Sequence, residues 1–330
     1  MAKTLLFADF GSNRGARAVA LEWFANELNK RSDGSLEIEF HWGESLLSTS
    51  AVLNGISDRV ADMGSVIGYE APRQLRGYNV GDLPIDNADV WVGMSAMHLL
   101  STSNAALKQE FERAGVVYIT NYSTGPVQLI CTKEVSKISD LKSIKLRGSG
   151  SYGKVFADLG AQVQSMSQPD VYQAMDSGLL ECNQNYYYSM KAYKQYEIAA
   201  YVLELNWGQN MSFGIIMNED SFANLTAAEK KAIRETGSDF IDYFAQLIME
   251  TNYQDRAAML AGIDSKSIKV TTLKKNERQV LLATGKKYVD KWVSEADADG
   301  IDGKSILAAY QTHVDTFAGE LDKKGYPWKR

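Results

Sequence analysis

Arg147 is the residue of this sequence whose type and setting best suit the binding of a small charged group. It follows Ile144 to Leu146, a short segment typical of a buried strand, and it opens a loop rich in Gly and Ser. A planar guanidinium group binds a carboxylate through two parallel hydrogen bonds, a geometry that lysine cannot reproduce. Spacing alone, however, favours a simpler interpretation, a surface arginine whose stem packs on a neighbour.

The glycines in this loop indicate a different chemistry. Gly148, Gly150 and Gly153 form G-x-G-x-x-G between a strand and a helix. With Asp170 at about the distance of a ribose ligand, such a loop could hold a pyrophosphate and serve a nucleotide-binding enzyme. The motif nevertheless lies mid-chain behind a very short strand. Asp170 also fits better as the partner of Ser167 in a helix-capping box.

Other catalytic signatures are missing from the sequence. His41, His98 and His313 are far apart and lack a metal-type spacing such as H-E-x-x-H. There is no G-x-S-x-G, no Walker loop and no C-x-x-C pair. Paired catalytic carboxylates leave no pattern to recognise. We therefore predict no catalytic residue, no metal and no cofactor, and we expect a binding protein rather than an enzyme.

Length and composition indicate a globular protein of two domains. The chain has 330 residues, of which 45% are hydrophobic and 23% charged. No apolar run approaches the ~20 residues needed to span a bilayer. The net charge of −6 argues against nucleic-acid binding, which depends on a basic surface.

The order of predicted elements indicates an α/β fold. Leu5 to Phe10 is a short apolar strand, a helix then ends near Gly34, and Leu36 to Trp42 alternates apolar and polar residues. Two later segments, around residues 116–132 and 206–216, are strand-like but interrupted by Gly, Ser or Pro. We expect them to pass from one domain to the other.

The C-terminal third is predicted to be helical. Leu225 to Ala261 begins with a capping box formed by Thr226 and Glu229. At 1.5 Å per residue this helix would be about 50 Å long, which is longer than one domain is wide. Two further helices are expected at about 275–295 and 303–321.

The block from Asp140 to Asn185 resembles the signature segment of the periplasmic solute-binding proteins of TRAP transporters, the DctP family. The family pattern "DLKGLKIR", "E/DVYxAL" and "G-x-x-D/E" is present here as DLKSIKLR, DVYQAM and GLLE, followed by Asn185. Similar matches run through ALEWFANELNKRSDGSLEIEFHWGESLL, ISDRVADMGSV and LTAAEKKAI. The resemblance covers roughly residues 4 to 325 with order and spacing kept.

The resemblance implies a two-lobed α/β periplasmic-binding-protein (Venus-flytrap) fold, with hinge-crossing strands and a long helix spanning both lobes. The expected domain limits are 1–123 plus about 214–252 for lobe I, and 124–213 plus about 253–273 for lobe II. Residues 274–330 would form C-terminal helices packed on the lobes.

The resemblance also implies which side chains bind the ligand. Arg147 would hold an acid group and Asn185 would add a hydrogen bond from the same lobe. Three further candidates lie on segments that the resemblance places around the cleft: Tyr69, Tyr186 and Trp207. Asn210 follows Trp207 closely and is a candidate as well, as are Phe10 and Asn13 on the first strand-to-helix turn. Aromatic walls suit a ligand with a flat or apolar body, although core packing explains such rings equally well.

Two departures from the family pattern bear on the ligand. Many relatives carry another arginine where this chain has Pro126, Val127 and Gln128, and fewer cations favour a monoanion over a dicarboxylate. Gly148 and Ser149 replace the usual Val-Pro after the arginine, which leaves the shape of the loop open.

The predicted function is therefore an extracytoplasmic receptor, a monomer that delivers a small organic monoanion to a TRAP membrane permease. A carboxylate, including an aromatic or hydroxy acid, and a sulfonate both fit. An ABC importer or a sensor could use the same fold. The resemblance implies the periplasm, although the first ten residues alone, which lack a leader-type segment, would indicate the cytoplasm. Whether Cys131 and Cys182 are bonded stays open.

Overall fold

The structure is a computed structural model that describes residues 2–330. These residues form eleven β-strands: β1 Lys3–Ala8, β2 Leu36–His41, β3 Met63–Ile67, β4 Val116–Tyr122, β5 Val127–Cys131, β6 Lys145–Arg147, β7 Gln162–Gln164, β8 Cys182–Asn185, β9 Tyr201–Trp207, β10 Phe213–Asn218 and β11 Lys269–Thr272. They also form eleven α-helices: α1 Gly15–Arg31, α2 Val52–Ser57, α3 Val90–Ser103, α4 Ala105–Arg113, α5 Gly150–Asp158, α6 Val171–Asp176, α7 Tyr187–Ala192, α8 Glu219–Ala223, α9 Ala227–Ala261, α10 Lys275–Ala298 and α11 Gly303–Lys324.

The strands assemble into two sheets, one in each lobe. The lobe I sheet has the order β2-β1-β3-β10-β4, and the lobe II sheet has the order β11-β9-β5-β8-β6-β7. In lobe I the first three strands are parallel and β10 runs antiparallel between β3 and β4. In lobe II, β6 is parallel to β7 and β8, while β5 is antiparallel to β8 and β9. The predicted two-lobed α/β fold is confirmed.

The chain crosses between the lobes where strands of different sheets follow one another. Residues 123–126 connect β4 to β5, and residues 208–212 connect β9 to β10. The two crossings are bonded to each other, because the Ser123 hydroxyl donates to Oε1 of Gln209 at 2.7 Å and the Asn210 amide donates to Oγ1 of Thr124 at 3.1 Å. Gly125 has a φ of +75°, which favours glycine at the bend.

Helix α9 joins the two lobes along one side. The predicted capping box between Thr226 and Glu229 is present at its N-terminus. Its first half packs on α1, α3 and β4 of lobe I, and its second half contacts α7 of lobe II. There Asp255 accepts from Nζ of Lys191 at 2.7 Å, and Asn252 accepts from the Tyr188 amide at 2.9 Å.

The C-terminal helices differ in their packing: α10 contacts both lobes, since Nε1 of Trp292 donates to the carbonyl oxygen of Arg76 in lobe I, whereas α11 packs on lobe I. Helix α10 packs on α5 of lobe II, where the Tyr288 hydroxyl donates to Asp158 at 2.6 Å. Helix α11 packs on α3 of lobe I, where Phe317 contacts the Trp91 ring edge-to-face. No helix of the described residues is long and apolar enough to cross a membrane.

The structure corrects the predicted capping box at Ser167 and shows the state of the two cysteines. Ser167 makes no side-chain cap and only a short 3-10 turn follows it, so the predicted capping box with Asp170 is wrong. Cys131 and Cys182 form a disulfide, because they face each other directly across the antiparallel strands β5 and β8. The bridge lies in the buried core of lobe II.

Candidate functional site

A cavity of about 300 Å³ lies between the two lobes. Lobe I contributes the end of β1, the start of α1 and the turn after β3. Lobe II contributes the ends of β6 and β8 and the start of α7. This position, beyond the carboxyl ends of parallel strands, is where open α/β sheets typically bind ligands.

Arg147 lies at the cavity wall with most of its hydrogen-bonding capacity unused. It is the last residue of β6 and is half-buried. Its Nε donates to the carbonyl oxygen of Met166 at 3.1 Å, which fixes the plane of the guanidinium group. Among residues 2–330 neither terminal nitrogen has a carboxylate partner or another hydrogen-bond acceptor. The arginine can therefore bind an anion with both nitrogens.

Asn185 lies close to Arg147 because their strands are parallel neighbours. Strand β6 pairs with β8, and Asn185 ends β8 as Arg147 ends β6. The amide of Asn185 is buried and its nitrogen donates to Oε1 of Gln195 at 2.7 Å. Asn183 donates to the same oxygen at 3.1 Å, so three buried amides form one cluster behind the cavity wall.

Tyr186 follows Asn185 and also lines the cavity. Asn210, from the second crossing segment, donates from Nδ2 to the Tyr186 hydroxyl at 2.9 Å. Burial raises the pKa of Tyr186, so this hydroxyl stays protonated and has its own hydrogen to donate. Asn210 itself is buried and does not line the cavity. It positions a cavity side chain instead of forming the wall.

Aromatic rings form most of the remaining wall. Phe213 is central in lobe I, with Phe10, Tyr122 and Tyr69 at centroid distances of 5.8, 5.7 and 6.1 Å. In lobe II the rings of Tyr186 and Tyr188 are nearly parallel, with an angle of 13° between them. The predicted candidates Tyr69, Tyr186 and Phe10 are thus brought together with Arg147 and Asn185.

Besides Asn210, two more predicted residues, Trp207 and Asn13, do not line the cavity. Trp207 is fully buried in the core of lobe II, where its ring meets those of Tyr152 and Phe156 edge-to-face. The side chain at the end of β9 therefore faces the lobe interior and not the cavity. Asn13 lies exposed in the turn before α1 and does not line the cavity.

The glycine loop is built for close packing of its own backbone. A Cβ on Gly153 would lie 2.8 Å from the carbonyl carbon of Gly148, so the loop rests directly on α5. Gly150 has a φ of +58°, and the Tyr69 ring packs against it. The Gly148 and Ser149 amides donate to Gln164 and Gln184, which leaves them unavailable for a phosphate.

An ion pair that was not predicted from the sequence lies at the opposite wall. Arg17 of α1 lines the cavity, and its Nη1 lies 2.5 Å from Oδ1 of Asp9, which is completely buried. Asp9 also accepts from the Gly11 amide at 2.8 Å and the Ser65 hydroxyl at 2.6 Å. Burial lowers the pKa of Arg17, but Asp9, together with Tyr122 and Tyr193, raises it, and the pKa of Arg17 lies above its ordinary value. The strand-turn-helix spacing of the two residues was the available signal.

This fold and this cavity are those of a solute-binding protein, and comparison with known families agrees. Residues 7–296 match the family described as bacterial extracellular solute-binding protein, family 7, or DctP. The chain belongs to that family.

Known relatives are distant in sequence. A solute-binding protein of Albidiferax ferrireducens is 27% identical over 186 residues, which are 53% of this chain and 52% of the relative. The match therefore spans about half the length of that relative. A solute-binding protein of Roseobacter denitrificans is 21% identical over 77% of this chain and 78% of its own.

Solved structures share the fold more completely. A TRAP solute-binding protein of Rhodoferax ferrireducens in complex with benzoate has a TM-score of 0.84 at 20% identity, covering 96% of this chain and 99% of that one. A TRAP periplasmic solute-binding protein of Bordetella bronchiseptica with bound mandelate has the same TM-score and coverage at 19% identity.

Proposed function

We propose that this protein binds a small organic monoanion, with an aromatic or similarly flat body, in the cavity between its lobes. The proposal rests on the state of Arg147. Its guanidinium group is half-buried, its two terminal nitrogens are unpaired within the described residues, and it lies at a wall of aromatic rings. A hydrogen bond to a charged group contributes roughly 1.5–3 kcal/mol, so a two-nitrogen contact would dominate the affinity.

A carboxylate is the group that matches this geometry best. Its two oxygens fit the fork of the guanidinium, whereas a sulfonate offers a third oxygen that needs another donor. Similar proteins of known structure hold benzoate and mandelate, both aromatic carboxylates. The aromatic cluster around Phe213 and the Tyr186–Tyr188 pair supports a ligand of this class.

Asn185 would donate a hydrogen bond to the ligand after its side-chain amide and the two neighbouring amides rotate. Its nitrogen now points to Gln195, and Nε2 of Gln195 has no partner. If the three amides of Asn183, Asn185 and Gln195 turn over together, Nε2 of Gln195 donates to both asparagine oxygens at unchanged heavy-atom positions. The Asn185 nitrogen then faces the cavity and can donate to the bound carboxylate.

Binding would favour a closed arrangement of the lobes, because Arg147 and the lobe I rings contact one ligand together. We propose that the crossings at residues 123–126 and 208–212 act as the hinge, with the lobe limits expected from the sequence. Small-angle scattering should show a smaller radius of gyration with ligand, and an unchanged radius would contradict closure.

We further propose that the protein works in the periplasm and delivers its ligand to a TRAP-type permease. The buried Cys131–Cys182 disulfide supports an oxidising compartment. Helix α9 contacts both lobes, so its position would change when the lobes close, and a membrane partner could recognise that change. Uptake of labelled ligand by vesicles holding the matching permease, with and without the protein, tests this step. Equal uptake in both would contradict it.

The ligand class is tested by a thermal-shift screen of aromatic and aliphatic carboxylates, sulfonates and nucleotides. A ligand at ~1,000 times its dissociation constant adds about 4 kcal/mol to the free energy of unfolding. We expect a cluster of aromatic monocarboxylates to raise the melting temperature. A response to sulfonates alone would change the ligand class, and a response to nucleotides alone would overturn the binding role.

A further inference from the structure

The cavity wall contains a second arginine, Arg17, which is buried and whose charge is neutralised by Asp9. This ion pair affects the charge that a bound ligand can carry. Arg17 lines the lobe I wall, opposite the lobe II wall that carries Arg147. Its side chain is only 9% exposed and its partner Asp9 is 0% exposed. The pair is therefore part of the protein interior, and the face that it presents to the ligand has no net charge.

Asp9 is held in place from three directions. The Gly11 amide and Nη1 of Arg17 both donate to Oδ1, and the Ser65 hydroxyl donates to Oδ2. Arg17 is held as well, because its Nη2 donates to the carbonyl oxygen of Ser12 at 3.1 Å. Neither partner can turn to a ligand without leaving a buried charge unpaired, which costs several kcal/mol.

The other charges of the lining do not replace this cation. Arg14 is exposed and lies over the Tyr193 ring, with 5.4 Å between its guanidinium carbon and the ring centroid. Glu44 and Glu70 line the same cavity and would repel a second anionic group. Within residues 2–330, Arg147 is thus the half-buried lining arginine without a carboxylate partner.

We infer that Asp9 determines the charge of the ligand: by neutralising Arg17 it restricts the cavity to monoanions and excludes dicarboxylates. This inference rests on the proposed function, because it assigns a role at the same site. Asp9 is a positioning residue, since it acts on the ligand through Arg17. Removing its charge would release a cation that can pair with a second carboxylate.

The test compares benzoate with phthalate, isophthalate and terephthalate, which add a second carboxylate at three positions. Titration calorimetry is done on the wild type, on Asp9→Asn and on Ser65→Ala. Asparagine keeps an oxygen for the Gly11 amide and for Arg17 but carries no charge. Ser65→Ala removes another hydrogen bond of Asp9 and leaves the ion pair intact, which makes it the matched control.

We expect the wild type to bind benzoate at least tenfold more tightly than the best dicarboxylate. Asp9→Asn should raise the dicarboxylate-to-benzoate affinity ratio at least tenfold, and Ser65→Ala should change it less than twofold. In the double variant Asp9→Asn/Arg17→Gln the ratio should return to that of the wild type.

Three results would overturn the inference. The first is a folded Asp9→Asn protein with an unchanged ratio, and the second is an equal shift in Ser65→Ala. The third is a wild type that prefers a dicarboxylate, which decides the matter even if Asp9→Asn does not fold. A wild type that binds none of the four acids, while responding to another ligand class in the thermal-shift screen, contradicts the proposed function itself, and the inference then falls with it.

Discussion

At the scale of single residues, the site depends on side chains that hold other side chains in place. Asn210 holds the Tyr186 hydroxyl, Met166 holds the Arg147 guanidinium, and Asp9 holds Arg17. These contacts fix donors and cations before a ligand arrives, which lowers the entropic cost of binding.

Replacing Asn210 by alanine should weaken binding without abolishing it. The Tyr186 hydroxyl would lose the donor that orients it, and a neutral hydrogen bond contributes about 0.5–1.5 kcal/mol. We expect a loss of affinity of about three- to tenfold by calorimetry. Tyr186→Phe should lose a similar amount, and the double variant should lose less than the sum. Additive losses would mean that Asn210 acts by another route.

Arg147 and Asn185 could be predicted as cavity residues only through the resemblance to a family, because the spacing of Arg147 alone favoured a surface residue. Arg147 and Asn185 stood in a recognisable block, and both line the cavity. Trp207 does not line the cavity. The side of β9 that faces the cavity depends on how Tyr152 and Phe156 fill the interior of lobe II, and the sequence alone does not show this packing. Arg17 was missed because its pairing with Asp9 depends on the turn between β1 and α1.

At the scale of elements, the loop after Arg147 explains how the site is shaped. The motif G-x-G-x-x-G is present, but its glycines allow backbone to meet backbone. The helix lengths were predictable from capping and periodicity, as α9, α10 and α11 show. The glycine spacing marks this loop in the sequence, but the spacing alone does not distinguish close packing of Gly148 against Gly153 from a phosphate site.

Gly153→Ala should destabilise lobe II and displace Arg147. The new methyl would lie 2.8 Å from the carbonyl carbon of Gly148, and overpacking of this kind costs about 1–3 kcal/mol. Gly319→Ala in α11 is the control, because no atom lies within 4 Å of the new methyl and alanine favours helix. Urea unfolding should separate the two variants. Equal free energies of unfolding for Gly153→Ala and Gly319→Ala would show that the loop accommodates the new methyl group without strain.

The disulfide between β5 and β8 should stabilise lobe II without setting the affinity. It closes a loop with a sequence separation of 51, for which chain entropy predicts about 4 kcal/mol. The variant Cys131→Ala/Cys182→Ala should lose about this much in urea unfolding and bind ligand within threefold of the wild type. Unchanged unfolding would contradict the stabilising role. A large loss of affinity would mean that the bridge positions Asn185.

At the scale of the whole molecule, two sheets are joined by two crossings and by helices α9 and α10, which contact both lobes. The distribution of strands, with β10 in lobe I and β11 in lobe II, explains why neither lobe is a continuous stretch of sequence. Alternating strands and helices made the α/β class predictable. The pairing of distant strands became predictable only through the resemblance to a family.

The stability of lobe I should decrease as the pH rises from about 4.5 to 7. Burial raises the pKa of Glu110 to about 7, although the Gly77 and Tyr78 amides donate to its carboxylate and oppose the shift. The folded protein therefore keeps a proton that the unfolded chain releases near pH 4.5. The free energy of unfolding then falls by up to about 1.4 kcal/mol per pH unit.

Glu110→Gln should flatten this pH dependence, and Glu112→Gln, an exposed residue of the same helix, should leave it unchanged. Urea unfolding at pH 5, 6 and 7 measures the slope for each protein. A wild type and a Glu110→Gln variant with the same slope would show that Glu110 is ionised in the folded state.

Calorimetric titration of Arg147→Ala tests whether Arg147 binds the ligand's anionic group. With the best acid from the thermal-shift screen, we expect at least a hundredfold loss of affinity, since an unpaired buried anion costs about 3–5 kcal/mol. Arg14→Ala removes an exposed lining arginine and should stay within threefold of the wild type. Both variants should unfold cooperatively. Wild-type affinity in a folded Arg147→Ala protein would show that Arg147 does not bind the anionic group.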